Sequence, residues 1–297
     1  MRKPPPVYTA EHVFHPERDS DYVHFEDGAS HPFQPMDTGV SKVNAWWLAD
    51  SALLSYWPAG PAEAIFDRAG LQSDFLKEGS TDCYVVWRDD AVIVAFRGTE
   101  PDEWGDVLAD AGIVLVPWEH GKVHDGFKKA LDAIWPKLAG ALADLAPGRP
   151  VWFCGHSLGA ALATLAADRY ASTAGVCTFG CPRVGDTTFA KAFDAKLGDR
   201  SARYVNHHDI VTHVPLPISY KHVGRRRVIS AKGSISPDPP TIEHFFADLF
   251  GQPFQLLEII NAVRRGQIKS PPSALLEHMP KAYAIHIWND YDKAPGT

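Results

Sequence analysis

The chain has 297 residues, 45% hydrophobic and 22% charged, with 36 acidic against 29 basic side chains and a net charge of −7. Such a length buries a substantial core without staples, and the acidic balance argues against nucleic acid, which rewards clustered Lys and Arg. The basic, proline-rich start leads into no apolar signal core, no stretch reaches the ~20 apolar residues of a membrane span, and none of the four cysteines has zinc-like CxxC spacing.

Residues 1–40, rich in Pro, His and Asp, have no period and read as an irregular lead-in wrapped on the domain that follows. Ser41 is an N-cap candidate for a core-facing helix in which Val43, Trp46, Trp47, Leu53, Leu54 and Trp57 recur near 3.6 and which Pro58 ends. Two strand-like runs, 82–88 and 91–97, flank Asp89-Asp90 and predict a hairpin. Phe127, Leu131, Ile134, Leu138 and Leu142 mark a helix over 126–145, stopped by Pro147-Gly148. Residues 151–154 form a short buried strand, 160–170 an alanine-rich helix, and 176–180 and 203–206 further strands. Strands alternating with helices predict a mostly parallel sheet covered by helices. Cys83, Cys154 and Cys177 fall in or beside strand-like runs, which predicts buried free thiols. The dense basic run Arg225-Arg226-Arg227 reads as a solvated corner. Residues 230–275 crowd Phe245, Phe246, Leu249 and Phe250 among prolines, either as core helix or as an apolar insertion shaping a cleft. No composition shift marks a second domain, so 41–297 reads as one.

The decisive segment is Gly155-His156-Ser157-Leu158-Gly159, a G-x-S-x-G set between a strand and a helix. The chain must turn sharply there, presenting Ser157 at a strand tip. The N–H of Leu158 then lies at a helix N-terminus, aimed at developing negative charge.

Four further segments accompany it in order: Phe96-Arg97-Gly98-Thr99-Glu100; Val123-His124-Asp125-Gly126-Phe127; Thr178-Phe179-Gly180-Cys181-Pro182-Arg183-Val184-Gly185; and Val205-Asn206-His207-His208-Asp209 with Pro215 beyond. With these motifs the chain resembles the class 3 lipase family, the fungal-type triacylglycerol lipases among the α/β-hydrolases. The resemblance implies an α/β-hydrolase fold with a lid segment at 100–122 that includes Trp104. It implies Ser157 as nucleophile, Asp209 as triad acid and the backbone N–H groups of Thr99 and Leu158 as oxyanion hole. Arg97 is expected to anchor the oxyanion loop, and Asp186 and Asp194 sit in the wrong element for the acid. The base must follow Asp209; His213, His222, His244, His278 and His286 are the candidates. The family's base follows an acidic residue and precedes a Tyr by five positions. Glu277-His278 with Tyr283 fits both features, whereas His286 fits only the second, with Tyr291, so His278 is favoured. His222 is expected to be structural.

The implied reaction is hydrolysis of acylglycerol-type esters through an acyl-enzyme, with no metal or cofactor required. The implied partner is a lipid or ester substrate, with transient contact at a lipid–water interface. A non-lipid esterase on the same scaffold is the alternative, and a non-catalytic signalling module a more distant one, since the triad types are all present.

Overall fold

Ser41 turns the chain into the first helix, its Oγ accepting from the Asn44 N–H at 3.3 Å, as the N-cap pattern predicts. The structure, a computed structural model, describes residues 2–6, 15–18, 21–98, 114–215, 217–237, 262, 265 and 272–292. Thr99, His244, Trp104 with most of the expected lid, and most of the 230–275 segment lie outside the described residues.

Helix α1 (Lys42–Leu54) ends before Trp57, and every residue from Val43 onward is buried. It is therefore enclosed on all sides rather than one-faced. Helix α2 (Ala59–Arg68) leads to three antiparallel strands, β1 (Gln72–Glu78), β2 (Thr81–Arg88) and β3 (Ala91–Phe96), with the expected hairpin at Asp89-Asp90. Strands β4 (Leu115–Pro117) and β5 (Lys122–His124) form a separate ribbon. Then come α3 (Asp125–Leu145), β6 (Val151–His156), α4 (Leu158–Arg169), β7 (Thr173–Phe179), α5 (Thr187–Leu197), β8 (Ser201–Asn206), β9 (Arg225–Ile229), β10 (Ile235–Ser236), α6 (Ser273–Leu276) and α7 (Pro280–Tyr291). The main sheet runs β1-β2-β3-β6-β7-β8-β9-β10, parallel from β3 to β9 and antiparallel at both edges.

Both faces of this sheet are buried, which is why its strands read as continuous apolar runs without alternation. The alternation is in the structure instead. Tyr84, Val86, Ile93, Ala95, Trp152 and Cys154 face a core built with α1 and α7, while Cys83, Val85, Val92, Val94, Val151 and Phe153 face one built with α3, α4 and α5. Part of the lead-in joins the first core: Tyr22, Phe25 and Phe33 are buried, and Phe25 stacks on Trp47 with ring centroids 4.9 Å apart. On the opposite side the β4–β5 ribbon is tied down by Trp118. Its Nε1 donates to Asp168 at 2.7 Å, and the Arg169 guanidinium lies over the rings of both Trp118 and Trp135.

One expectation is overturned. Residues Arg225 to Arg227 form no corner: they open strand β9, paired in parallel with β8 from Ala202 to Asn206. Backbone pairing near the sheet edge overrides the charge run, and Arg226 and Arg227 are half-buried. Strand β1, polar and with an irregular burial pattern, carries no strand signal of its own; it is placed by pairing with β2. All four cysteines are free and buried. No helix among the described residues is long and apolar enough to cross a membrane.

Candidate active site

The site lies at the C-terminal ends of β6, β7 and β8. Strand β6 runs on to His156, and Ser157 then adopts φ 58° and ψ −125° before α4 begins. A positive φ is uncommon for a non-glycine residue and marks stored strain. The turn is held by the Ser157 N–H donating to Phe179 O at 3.0 Å and by Ala160 N–H donating back to Ser157 O at 3.0 Å. The flanking glycines are required sterically. A Cβ on Gly155 would lie 2.3 Å from Gly159 O, and one on Gly159 would lie 2.3 Å from Phe96 O. Leu158 opens α4, so its N–H belongs to the first turn, which lacks intrahelical acceptors.

Asp209 follows β8 and is fully buried. Its Oδ1 accepts from the Val211 N–H at 2.9 Å, its Oδ2 accepts from the Tyr283 hydroxyl at 2.5 Å, and both oxygens lie 2.8 Å from His278 Nδ1. A carboxylate that accepts on both oxygens fixes the imidazole opposite it. His278 sits in the turn between α6 and α7 and is 3% exposed. The tyrosine five positions on has a visible purpose: it donates to Asp209 and accepts from the Asn206 N–H at 3.0 Å. Burial, followed by the neighbouring Asp209 charge, pushes the Tyr283 phenol well above its ordinary pKa, so it stays a donor.

The other motifs serve this pair. Gly180 has φ 60°, and a Cβ there would fall 2.8 Å from both Asp209 Oδ2 and His278 Cε1. Arg183 donates to the carbonyls of His213 and Pro215 at 2.5 and 2.7 Å, closing the loop beyond Asp209. Asn206 Nδ2 donates to Glu277 O at 2.8 Å, fastening the turn that carries His278. His124 stacks on Phe127 at 4.3 Å, and burial lowers its pKa to about 4, which suits a structural imidazole. Arg97 pairs with Asp82 at 3.4 Å, anchoring the chain just before Gly98.

The remaining candidates are placed elsewhere. Asp186 caps α5 through the Phe189 N–H, and Asp194 accepts from the Gly224 N–H. His213 ends the short turn after Asp209, and His222 is half-buried with Nε2 on Thr212 O at 2.8 Å. His286 lies inside α7 beside Gly233.

Sequence reasoning missed His156 and Tyr56. The His156 ring bridges two groups: Nε2 is 2.5 Å from the His278 carbonyl and Nδ1 is 2.7 Å from the Tyr56 hydroxyl. A carbonyl only accepts, so Nε2 carries the proton and Tyr56 donates to Nδ1. Burial holds this imidazole well below its ordinary pKa, consistent with the neutral form. The Tyr56 hydroxyl also fills the space a side chain on Gly98 would need, 2.0 Å from such a Cβ. Only the three-dimensional contact reveals this, since His156 occupies a variable position of the motif.

The fold is of the α/β-hydrolase type, and it carries a strained serine at a strand-to-helix turn together with a buried Asp–His pair. Residues 93–218 match the family model for lipases of class 3. The chain is 32% identical over 170 residues to a lipase of Caenorhabditis elegans, covering 52% of this chain and 47% of that protein. It is 46% identical over 79 residues to a phospholipase A1 of Oryza sativa subsp. japonica, covering 24% and 20%. Among solved structures, the triacylglyceride lipase of Rhizomucor miehei superposes with a TM-score of 0.53 at 26% identity, covering 64% of this chain and 80% of that one. Over residues 93–218 the chain is similar to the class 3 lipase family. It spans about half or less of the length of these curated relatives.

Proposed function

We propose that the chain is a carboxylic ester hydrolase acting on acylglycerol-type esters, with Ser157 as nucleophile, His278 as base and Asp209 as its orienting acid. The observation that carries this reading is the buried Asp209–His278 pair, with His278 Nδ1 2.8 Å from both carboxylate oxygens, beside a serine held at positive φ. Nδ1 turned toward Asp209 leaves Nε2 to exchange a proton with Ser157. His278 takes that proton as Ser157 attacks the ester carbonyl. The N–H of Leu158 at the start of α4, with that of Thr99 as second donor, holds the oxyanion; one such donor is typically worth roughly 3–4 kcal/mol in the transition state. The alcohol leaves with the proton from His278, and water then cleaves the acyl-enzyme. In this reading residues 41–297 act as one domain with 1–40 as its lead-in, and the substrate is met at a lipid–water interface.

The relatives' names support a glyceride or phospholipid over an aromatic acid ester. The test is hydrolysis of emulsified triglyceride, phosphatidylcholine vesicles and a p-nitrophenyl ester series by the same preparation. Ser157→Ala is expected to lose at least ~10⁴-fold in kcat, because triad members act as a unit; near-wild-type turnover would sink the proposal. His278→Ala is expected to be equally inactive while His286→Ala keeps most activity, and the reverse pattern would reassign the base.

A further inference from the structure

The turns that carry Asp209 and His278 also bring together three side chains that the ester chemistry leaves unused. Among the described residues, His207, His208 and Glu277 offer ligand atoms that all lie within 4.8 Å of one another. We propose that they form a binding site for a borderline-soft divalent cation of the Zn²⁺ type.

The geometry is close to assembled. Glu277 Oε2 is fixed by the His208 backbone N–H at 2.5 Å, and its Oε1 faces His207 Nδ1 at 3.3 Å. Zn²⁺ holds N and O ligands at about 2.0–2.1 Å in tetrahedral array, which sets neighbouring ligand atoms roughly 3.3 Å apart. One edge of that tetrahedron is therefore present. His207 has φ 34°, a left-handed backbone unusual outside glycine, and the two histidine rings have centroids 3.6 Å apart. His208 is exposed, so its ring needs only a side-chain rotation to complete the trio, with water as the fourth ligand. Two imidazoles and one carboxylate select Zn²⁺-like ions over Mg²⁺ or Ca²⁺, which prefer all-oxygen shells. Each ligand residue is at most two positions from Asp209 or His278, and those two segments are 69 residues apart in the chain. A bound cation ties the two turns together from the solvent side.

The test is calorimetric titration of the full chain with ZnCl₂ and with MgCl₂, together with thermal unfolding; both read binding independently of ester hydrolysis. One Zn²⁺ per chain is expected. Tm should rise by about 4 °C when free Zn²⁺ is roughly a hundredfold above Kd, and Mg²⁺ should bind negligibly. His208→Ala, which removes an exposed ring, and Glu277→Gln should each weaken Zn²⁺ binding by at least about tenfold, the lower bound for even a supporting residue of a metal site. Circular dichroism establishes that each variant is folded. Absence of saturable Zn²⁺ binding to the wild-type chain, or wild-type affinity in either variant, overturns the proposal.

Discussion

At residue scale, the variable position of the serine motif is the instructive one. His156 is 2% exposed and bonded at both ring nitrogens, so it links Tyr56 on one side to the backbone of His278 on the other. Tyr56→Phe removes the donor to Nδ1 and leaves a buried acceptor unmet, which costs roughly 1–3 kcal/mol of stability. Its effect on turnover should be a lower kcat with little change in KM, because the residue acts on the base's position and not on substrate binding. Steady-state kinetics on a soluble ester separates the two. A raised KM with normal kcat would place Tyr56 in substrate binding instead.

Elements explain why short motifs are spaced as they are. Gly180 follows β7 where Asp209, just beyond β8, and His278 from the α6–α7 turn converge, and only a glycine leaves room at φ 60°. Gly180→Ala adds roughly 1–2 kcal/mol of backbone strain and presses a methyl against both partners. The expected result is a folded protein with kcat down by about 10²-fold, the scale of an ångström-sized misplacement. Full activity in a folded Gly180→Ala would show that the pair tolerates displacement. This convergence also marks how far the sequence could be read. The strand–helix alternation, the elbow glycines and the Ser41 cap are local signals, and each appears where its pattern predicts. Strand β1 and the Arg225-Arg226-Arg227 strand were hidden because pairing partners, not composition, create them. Tyr56 was hidden because its partner is 100 residues away.

At the scale of the whole molecule, burial of imidazoles sets the response to acid. Burial lowers His24 to about 3 and His124 to about 4, and holds His156 and His222 well below the ordinary value of 6.5. The unfolded chain binds these protons near pH 6.5 and the folded chain does not. Their contribution is therefore present above pH 6.5 and is lost as pH falls toward 4 and 3, by up to about 1.4 kcal/mol per pH unit for each group. Asp50 has the opposite sign. Burial raises it from 3.8 to about 6 despite the hydrogen bonds it accepts from the Tyr22 hydroxyl and the Phe25 N–H, which pull it down, so its contribution is full below 3.8 and lost as pH rises through 6. Four imidazoles outweigh one carboxylate, so Tm should decline between pH 6.5 and 4; scanning calorimetry showing a flat Tm there would contradict this balance. The same burial governs the thiols. Cys154 and Cys177 lie under α1 and α7, Cys83 and Cys181 under α3 to α5, and burial raises the pKa of each. A thiol reagent therefore has no thiolate to attack until a layer lifts away. Each face of the sheet thus carries its own pair of chemical clocks, and the order in which they are labelled reports whether the two helical layers open together or one at a time.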